Sequence, residues 1–314
     1  MKNLKKIFPI LTIDDDMIIS KTGDISLAYE LELQEVFSLN TSSLDAISDI
    51  ISDGLENLPS GTIFQKQDYF FKKKNTEPVT TSTKYLARSD NKFFYESAIL
   101  KHECYLILTY TLSNSKNKRN SIKKSDEIKN FISGATSFIN KLSLSDFFKT
   151  KKLKEKEIVD LLDTYFSLSN LRLPEENYEI SFDKEFRVKD NFVKIFSMEN
   201  SNALPHSFSR FKKEKKLSTD RTDFFIPFTH NYVFSISCNH LYNQIVFVED
   251  SDNIKKEIEI VSKKFKGLRS LSRFNKLSND TLDTYLDEGE KQKVKYSKVN
   301  FSMYLWSPKH AVLE

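Results

Sequence analysis

Short apolar runs separated by turn residues open the chain. Residues 8–13, 17–20 and 25–33 read as strands, and Lys21-Thr22-Gly23-Asp24 between the last two is a glycine-containing turn, so a β-hairpin opens the fold. The period then lengthens. Leu44, Ile47, Ile50, Ile51 and Leu55 fall on one helical face, preceded by the cap-prone Asn40, Thr41 and Ser42 and stopped by Pro59, Ser60 and Gly61. Residues 62–71 (TIFQKQDYFF) return to a strand. A polar stretch over 72–84 leads to a helix predicted over 85–100. Strand 104–112 (CYLILTYTL) follows, and its near-continuous apolar character predicts burial on both faces.

Residues 113–125 (SNSKNKRNSIKKS) carry almost no apolar side chains and read as an exposed basic loop. Ile128, Phe131, Ile132, Ala135, Phe138, Ile139 and Leu142 then keep helical spacing. A second helix over 153–168 presents Ile158, Leu161, Leu162, Tyr165 and Phe166, and the two helices are expected to pack as a hairpin. Strands are predicted at 178–182, 186–198, 224–228, 232–238 and 245–249, the last two flanking a CNHLYNQ turn. Asp252 is the expected cap of a helix over 253–271, and Ser278 or Asn279 of another over 280–290. A strand over 299–306 comes last, with Ser307-Pro308 as a helix start. These elements predict an α+β fold of two modules, each a mostly antiparallel sheet with packed helices. The modules would be 1–112 and 177–314, linked through the basic loop and helical hairpin of 113–176.

Composition narrows the function classes. With 314 residues, 39% hydrophobic content, 26 Phe and 13 Tyr, the chain can fill two real cores and is not disordered. No stretch approaches the ~18–20 apolar residues of a membrane span. MKNLKK is followed only by the short IFPILTI and then DDD, neither a signal peptide nor an anchor, so a cytoplasmic location and reduced thiols at Cys104 and Cys238 are expected. The six glycines do not form the G-x-x-x-x-G-K-[ST] spacing of a phosphate-cradling loop, so no nucleotide-binding or catalytic residue is assigned. Charge is uneven: residues 1–60 hold 4 Lys+Arg against 11 Asp+Glu in a chain whose net charge is +4, an asymmetry that can orient a protein between unlike partners.

Several groups invite chemistry and have a plainer reading beside it. His102-x-Cys104 and Cys238-x-His240 would together supply a Cys2His2 zinc set, but neither has the usual ligand spacing, and buried thiols with hydrogen-bonded histidines are the default. Asp14, Asp15 and Asp16 suit a solvated turn better than a divalent cation. The basic run 210–216 (RFKKEKK) and the helix bearing Lys255, Lys256, Lys263, Lys264, Lys266, Arg269 and Arg273 can meet phosphates. Glu257 and Glu259 dilute the second, and a solvated basic face is the preferred reading. Asp220 and Arg221 in LSTDRTDFF, with Asn239, His240, Tyr242 and Asn243 in SCNHLYNQ, form the candidate site. A structural network through turn chemistry and an ion pair is favoured over partner contact.

Those two strings, together with DDDMIISKTGDISLAYEL (14–31), QKQDYF (65–70), CYLILT (104–109), YFSLS (165–169) and LRSLSRF (268–274), carry a resemblance over most of the chain. The sequence resembles the N-terminal region of the TraG family of conjugative-transposon ATPases, the motor class of type IV secretion systems. The resemblance implies a region that docks on and couples to the inner-membrane channel proteins, cytoplasmic and peripheral to the membrane, with self-association through the parent ATPase. It places ATP and Mg only in a RecA-like domain expected to follow this chain, which ends before it. No cofactor and no catalytic residue is carried over. A nucleic-acid-binding accessory protein using the basic segments is the alternative.

Overall fold

The opening apolar runs fold as strands. In a computed structural model that describes residues 9–34, 41–74, 84–87, 89, 98–112, 121–168, 180–182, 185–198, 211–213, 223–225, 236–292 and 297–313, Ile10–Asp14 (β1), Met17–Ser20 (β2) and Ile25–Leu33 (β3) form an antiparallel meander. Asp15 and Asp16 make the first turn at φ 50° and 55°, a left-handed conformation that Asp tolerates better than most residues. The turn reading of the acidic run is therefore correct, and Asp16 adds a second role. Its Oδ1 accepts the backbone N–H of Glu155 at 2.8 Å, placing a carboxylate at the positive end of a distant helix.

Helix α1 (Thr41–Glu56) precedes the long strands β4 (Thr62–Lys74) and β5 (Ala98–Tyr110). Then come α2 (Ser121–Leu144), β6 (Phe148–Lys152), α3 (Glu155–Ser167) and the short strands β7 (Ile180–Ser181), β8 (Arg187–Val188) and β9 (Asn191–Ser197). A separate two-stranded ribbon joins β10 (Phe211–Lys213) to β11 (Asp223–Phe225). Strand β12 (Asn239–Val248), helices α4 (Ser251–Gly267) and α5 (Arg273–Gln292), strand β13 (Lys298–Ser307) and a 3-10 turn (His310–Val312) complete the order.

The α+β class holds, and strands from both predicted modules share one antiparallel sheet of eleven strands, ordered β1-β2-β3-β5-β4-β12-β13-β9-β8-β7, with β6 added to β3. The join is β4 against β12, paired continuously from Thr62↔Val248 to Phe70↔His240. Residues 1–112 and 177–314 thus meet along a full strand interface.

The predicted helical hairpin of 113–176 is corrected. Strand β6 intervenes between α2 and α3 and pairs with β3, and the two helices lie on opposite faces of the sheet. Helices α1 and α2 cover Leu27, Leu31, Phe64, Leu106 and Leu108 with Ile47, Phe131 and Phe138. Helix α3 covers Ala28, Tyr69, Phe71, Leu241 and Trp306 with Ile158 and Leu161. The two sets alternate along β3 and β4 because successive strand side chains point to opposite faces. Both helical stripes were legible; which face each would cover was not, because β6 (FKTKK) has only Phe148 to signal a buried strand.

Several boundaries also move. Ser121–Ser125, read as loop, belongs to α2, and Ala98–Leu100, read as helix, belongs to β5; most of the rest of 85–100 lies outside the described residues. The cap of α4 is Asp250, whose side chain accepts from Asp252 N–H, two residues before the expected one. Helix α5 starts at Arg273, with Ser272 Oγ accepting Asn275 N–H at 3.1 Å. The predicted caps Ser278 and Asn279 therefore lie inside it.

Candidate functional site

The largest correction concerns SCNHLYNQ. Asn239–Val248 is no turn but the central strand β12, flanked by β4 and β13. The string has neither Gly nor Pro to bend it, and it alternates once its polar side chains are matched to polar partners on the neighbouring strand. The candidate residues divide between the two faces. Asn243 lies toward α3, where its Oδ1 accepts from Gln65 Nε2 at 3.0 Å and its amide donates to Ser302 Oγ at 3.3 Å. Asn239 Oδ1 accepts the Lys72 backbone N–H at 2.7 Å. His240 and Tyr242 lie on the other face, with the Tyr242 ring parallel to Phe301. Asp220 and Arg221 lie outside the described residues.

On that second face β4 contributes Lys66, Asp68 and Phe70, β5 contributes His102 and Cys104, and β12 contributes His240 and Gln244. Lys66, Asp68 and His240 are almost wholly removed from solvent, at 2%, 0% and 0% exposure. Asp68 is the hub. One carboxylate oxygen is held by the Lys66 ammonium and lies 3.5 Å from Gln244 Nε2; the other is 2.9 Å from His102 Nε2. Burial alone would raise the Asp68 pKa, but Lys66 and His102 outweigh it and hold the carboxyl below its ordinary value of 3.8. Burial would likewise lower Lys66, and the Asp68 carboxylate reverses that, so the ammonium stays above 10.5. The pair is charged and mutually dependent at every physiological pH.

Beside the ion pair, three rings stack across three strands. His102, Phe70 and His240 sit at matching register positions, with centroids 4.5 and 4.4 Å apart and planes within 11° and 15°. The strands therefore do bring the two Cys/His pairs of the zinc reading to one face. The Phe70 ring stands between the imidazoles, and among the described residues no group of three or more His, Cys, Asp or Glu is placed to hold a metal ion. Burial pushes the Cys104 thiol well up, against the effect of Lys66, so it is a poor nucleophile at neutral pH. His102, partly exposed, lines a cleft of about 430 Å³ with Glu30, Glu32, Lys101 and Lys151. An imidazole oriented by a buried carboxylate can move protons, but no activated nucleophile accompanies it among the described residues, and the cluster is best read as a structural network.

His240 has one prediction of its own. Its Nδ1 faces the Cys238 carbonyl oxygen at 2.8 Å and must donate to it, leaving Nε2 buried without a partner among the described residues. Burial lowers its pKa from 6.5, more than that hydrogen bond raises it. The native state therefore binds fewer protons here than the unfolded chain, and stability should decline as pH falls below 6.5. Nitrogen-15 NMR should find the Nδ1–H tautomer at pH 7. An imidazole titrating at or above 6.5 would contradict the assignment.

Sequence reading missed Lys66, Asp68 and Phe70, although QKQDYF was singled out. The available signal was opposite charge at i and i+2 in a predicted strand, which places both groups on one face.

A family described as "Domain of unknown function, B. Theta Gene description (DUF3875)" matches residues 1–48, which take in β1, β2, β3 and the first half of α1. No curated protein matches the chain. Neither finding reaches the buried cluster.

Proposed function

We propose that this chain is the N-terminal docking and coupling region of a conjugative-transfer ATPase of the type IV secretion class, contacting the inner-membrane channel complex and contributing no chemistry of its own. The observation that carries the reading is convergence. QKQDYF, CYLILT and SCNHLYNQ, spread from residue 65 to residue 244, lie on the adjacent strands β4, β5 and β12 and meet in one buried network. Strings that carry a resemblance while far apart in sequence thus belong to one structural unit, as expected if the likeness is one of fold. LRSLSRF differs from them: it lies at the exposed turn between α4 and α5, where packing does not account for it. ATP and Mg are assigned to the motor domain that the resemblance places downstream. Among the described residues no helix is long and apolar enough to cross a membrane.

The test is co-expression of the tagged chain with the polytopic channel proteins of a conjugative type IV secretion system, followed by capture in detergent and an ATP turnover assay. Retention of a channel subunit, with turnover at background, is the expected result. If the channel subunits wash through while the chain binds duplex DNA with steep salt dependence, the accessory-protein alternative replaces this reading.

A further inference from the structure

Helices α4 and α5 form an antiparallel pair inserted between the neighbouring strands β12 and β13. The base of this arm is tied down: Ile254 is buried, and Lys298 bridges Glu249 and Glu257. Midway, Ser262, Asn279 and Asp283 hydrogen-bond across the pair. The tip lies roughly 20 Å along the helix axis from Ile254, at ~1.5 Å per residue.

The tip combines two properties. Leu268, Leu271, Phe274 and Leu277 are 45%, 74%, 64% and 56% exposed, an apolar group that nothing among the described residues buries. Between residues 260 and 279 there are six cations (Lys263, Lys264, Lys266, Arg269, Arg273 and Lys276) and no acid. Among the described residues the acids that answer them lie on the flanks, Glu259 to Lys263 at 3.9 Å and Asp280 to Arg269 at 2.8 Å. Charge reverses toward the base, where residues 280–290 carry Asp280, Asp283, Asp287, Glu288 and Glu290 and no Lys or Arg. The arm is polarised end to end.

From this we infer that the arm tip docks on an anionic phospholipid bilayer, inserting Leu268, Leu271, Phe274 and Leu277 at the headgroup boundary while the surrounding cations meet the lipid phosphates. An apolar wedge ringed by cations matches a surface that is anionic outside and apolar beneath. Nucleic acid is the poorer fit: three of the four exposed groups are leucines, which offer bases no stacking surface, and the ring of Phe274 packs edge-on against Phe265. The inference stands apart from the transfer-ATPase reading, since it uses only the charge and exposure of the arm.

The test is flotation of the full 314-residue chain with phosphatidylcholine vesicles with and without phosphatidylglycerol. Phe274→Trp serves as an insertion reporter against acyl-chain-brominated lipid. Binding should require phosphatidylglycerol and weaken with salt, and the tryptophan should blue-shift and be quenched. The variant Leu271→Asp/Phe274→Asp should lose binding ~10-fold or more, and Lys264→Ser/Lys266→Ser/Arg273→Ser ~100-fold. Both sites are exposed, so far-UV circular dichroism should be unchanged. No vesicle binding by a folded chain, binding without blue shift and quenching, or binding indifferent to Leu271→Asp/Phe274→Asp overturns the proposal. So does binding to duplex DNA in place of vesicles. Loss of channel-protein capture with vesicle binding intact would leave this inference standing and remove only the transfer-ATPase reading.

Discussion

Replacing Asp68 by alanine is expected to destabilise the chain by about 3–5 kcal/mol, the range for breaking one side of a buried ion pair. That is a large share of the ~5–15 kcal/mol that a typical domain has in total. The loss comes from the group left behind. Lys66 is 2% exposed, and without the carboxylate its ammonium keeps the cost of burial and loses the attraction that offsets it. Urea unfolding at pH 7 measures the effect, and the companion variant Lys66→Met/Asp68→Leu separates causes. Removing both charges should restore most of the stability, since apolar replacements of buried pairs are often neutral or better. If the double variant is as unstable as Asp68→Ala, an uncompensated charge is not the reason.

The pH profile gives a sharper check, because the signs differ. In the parent chain the Lys66 pKa is raised above 10.5, so its contribution is complete below that value and is lost as pH rises through the folded pKa. The Asp68 pKa is held below 3.8, so its contribution is present above that value and is lost as pH falls through the folded pKa. In Asp68→Ala the carboxylate that outweighs burial is gone, and burial, the largest single influence on Lys66, is expected to bring its pKa below 10.5. The native state then binds fewer protons than the unfolded chain, and stability should rise as pH approaches 10.5 from neutrality, opposite to the parent above that value.

Phe138→Ala is expected to cost about 3–5 kcal/mol, as for other buried aromatic truncations. Phe138, on α2, is fully buried against α1, meets Phe64 edge-on at 5.8 Å, and lies directly over Gly54. A Cβ built at Gly54 would come within 2.1 Å of the ring, and one built at Gly134 on α2 would come, less severely, within 3.1 Å of the Asn57 carbonyl oxygen. The two glycines are what lets the helices approach. Gly54→Ala alone should therefore destabilise by about 1–3 kcal/mol through overpacking, despite the ~1 kcal/mol that alanine gains in helix propensity. Added to Phe138→Ala, the same substitution meets a cavity and should stabilise. A double-mutant cycle in urea measures this reversal; two additive losses would show that the ring and the glycine do not share the space.

Much of the local structure was legible. The meander of β1 to β3, the stripes of α1, α2 and α3 and strand β4 follow from periodicity, because burial of one face imposes period 2 on strands and 3.6 on helices. The candidate residues of SCNHLYNQ were found as a string and misplaced as a turn. Asn, which occurs twice in the string, favours turns, and nothing local reveals that Lys66, Asp68 and Gln65 will lie on the neighbouring strand. The start of α5 was misplaced for a related reason: Asn279 looks like a cap until Ser262 and Asp283, on two different turns of the arm, are seen to satisfy it.

By itself the sequence determined the α+β class, most strand and helix identities, the absence of a phosphate-cradling loop and the run of cations at 263–276. These depend on neighbours within a few residues. Only the tertiary structure decided that β4 and β12 pair, merging both halves into one sheet, that α2 and α3 take opposite faces, and that Lys66, Asp68 and His102 form one buried network. Those outcomes depend on register between segments as far apart as Thr62 and Val248, and strand pairing is chosen by the complementarity of whole rows of side chains, which no single segment contains.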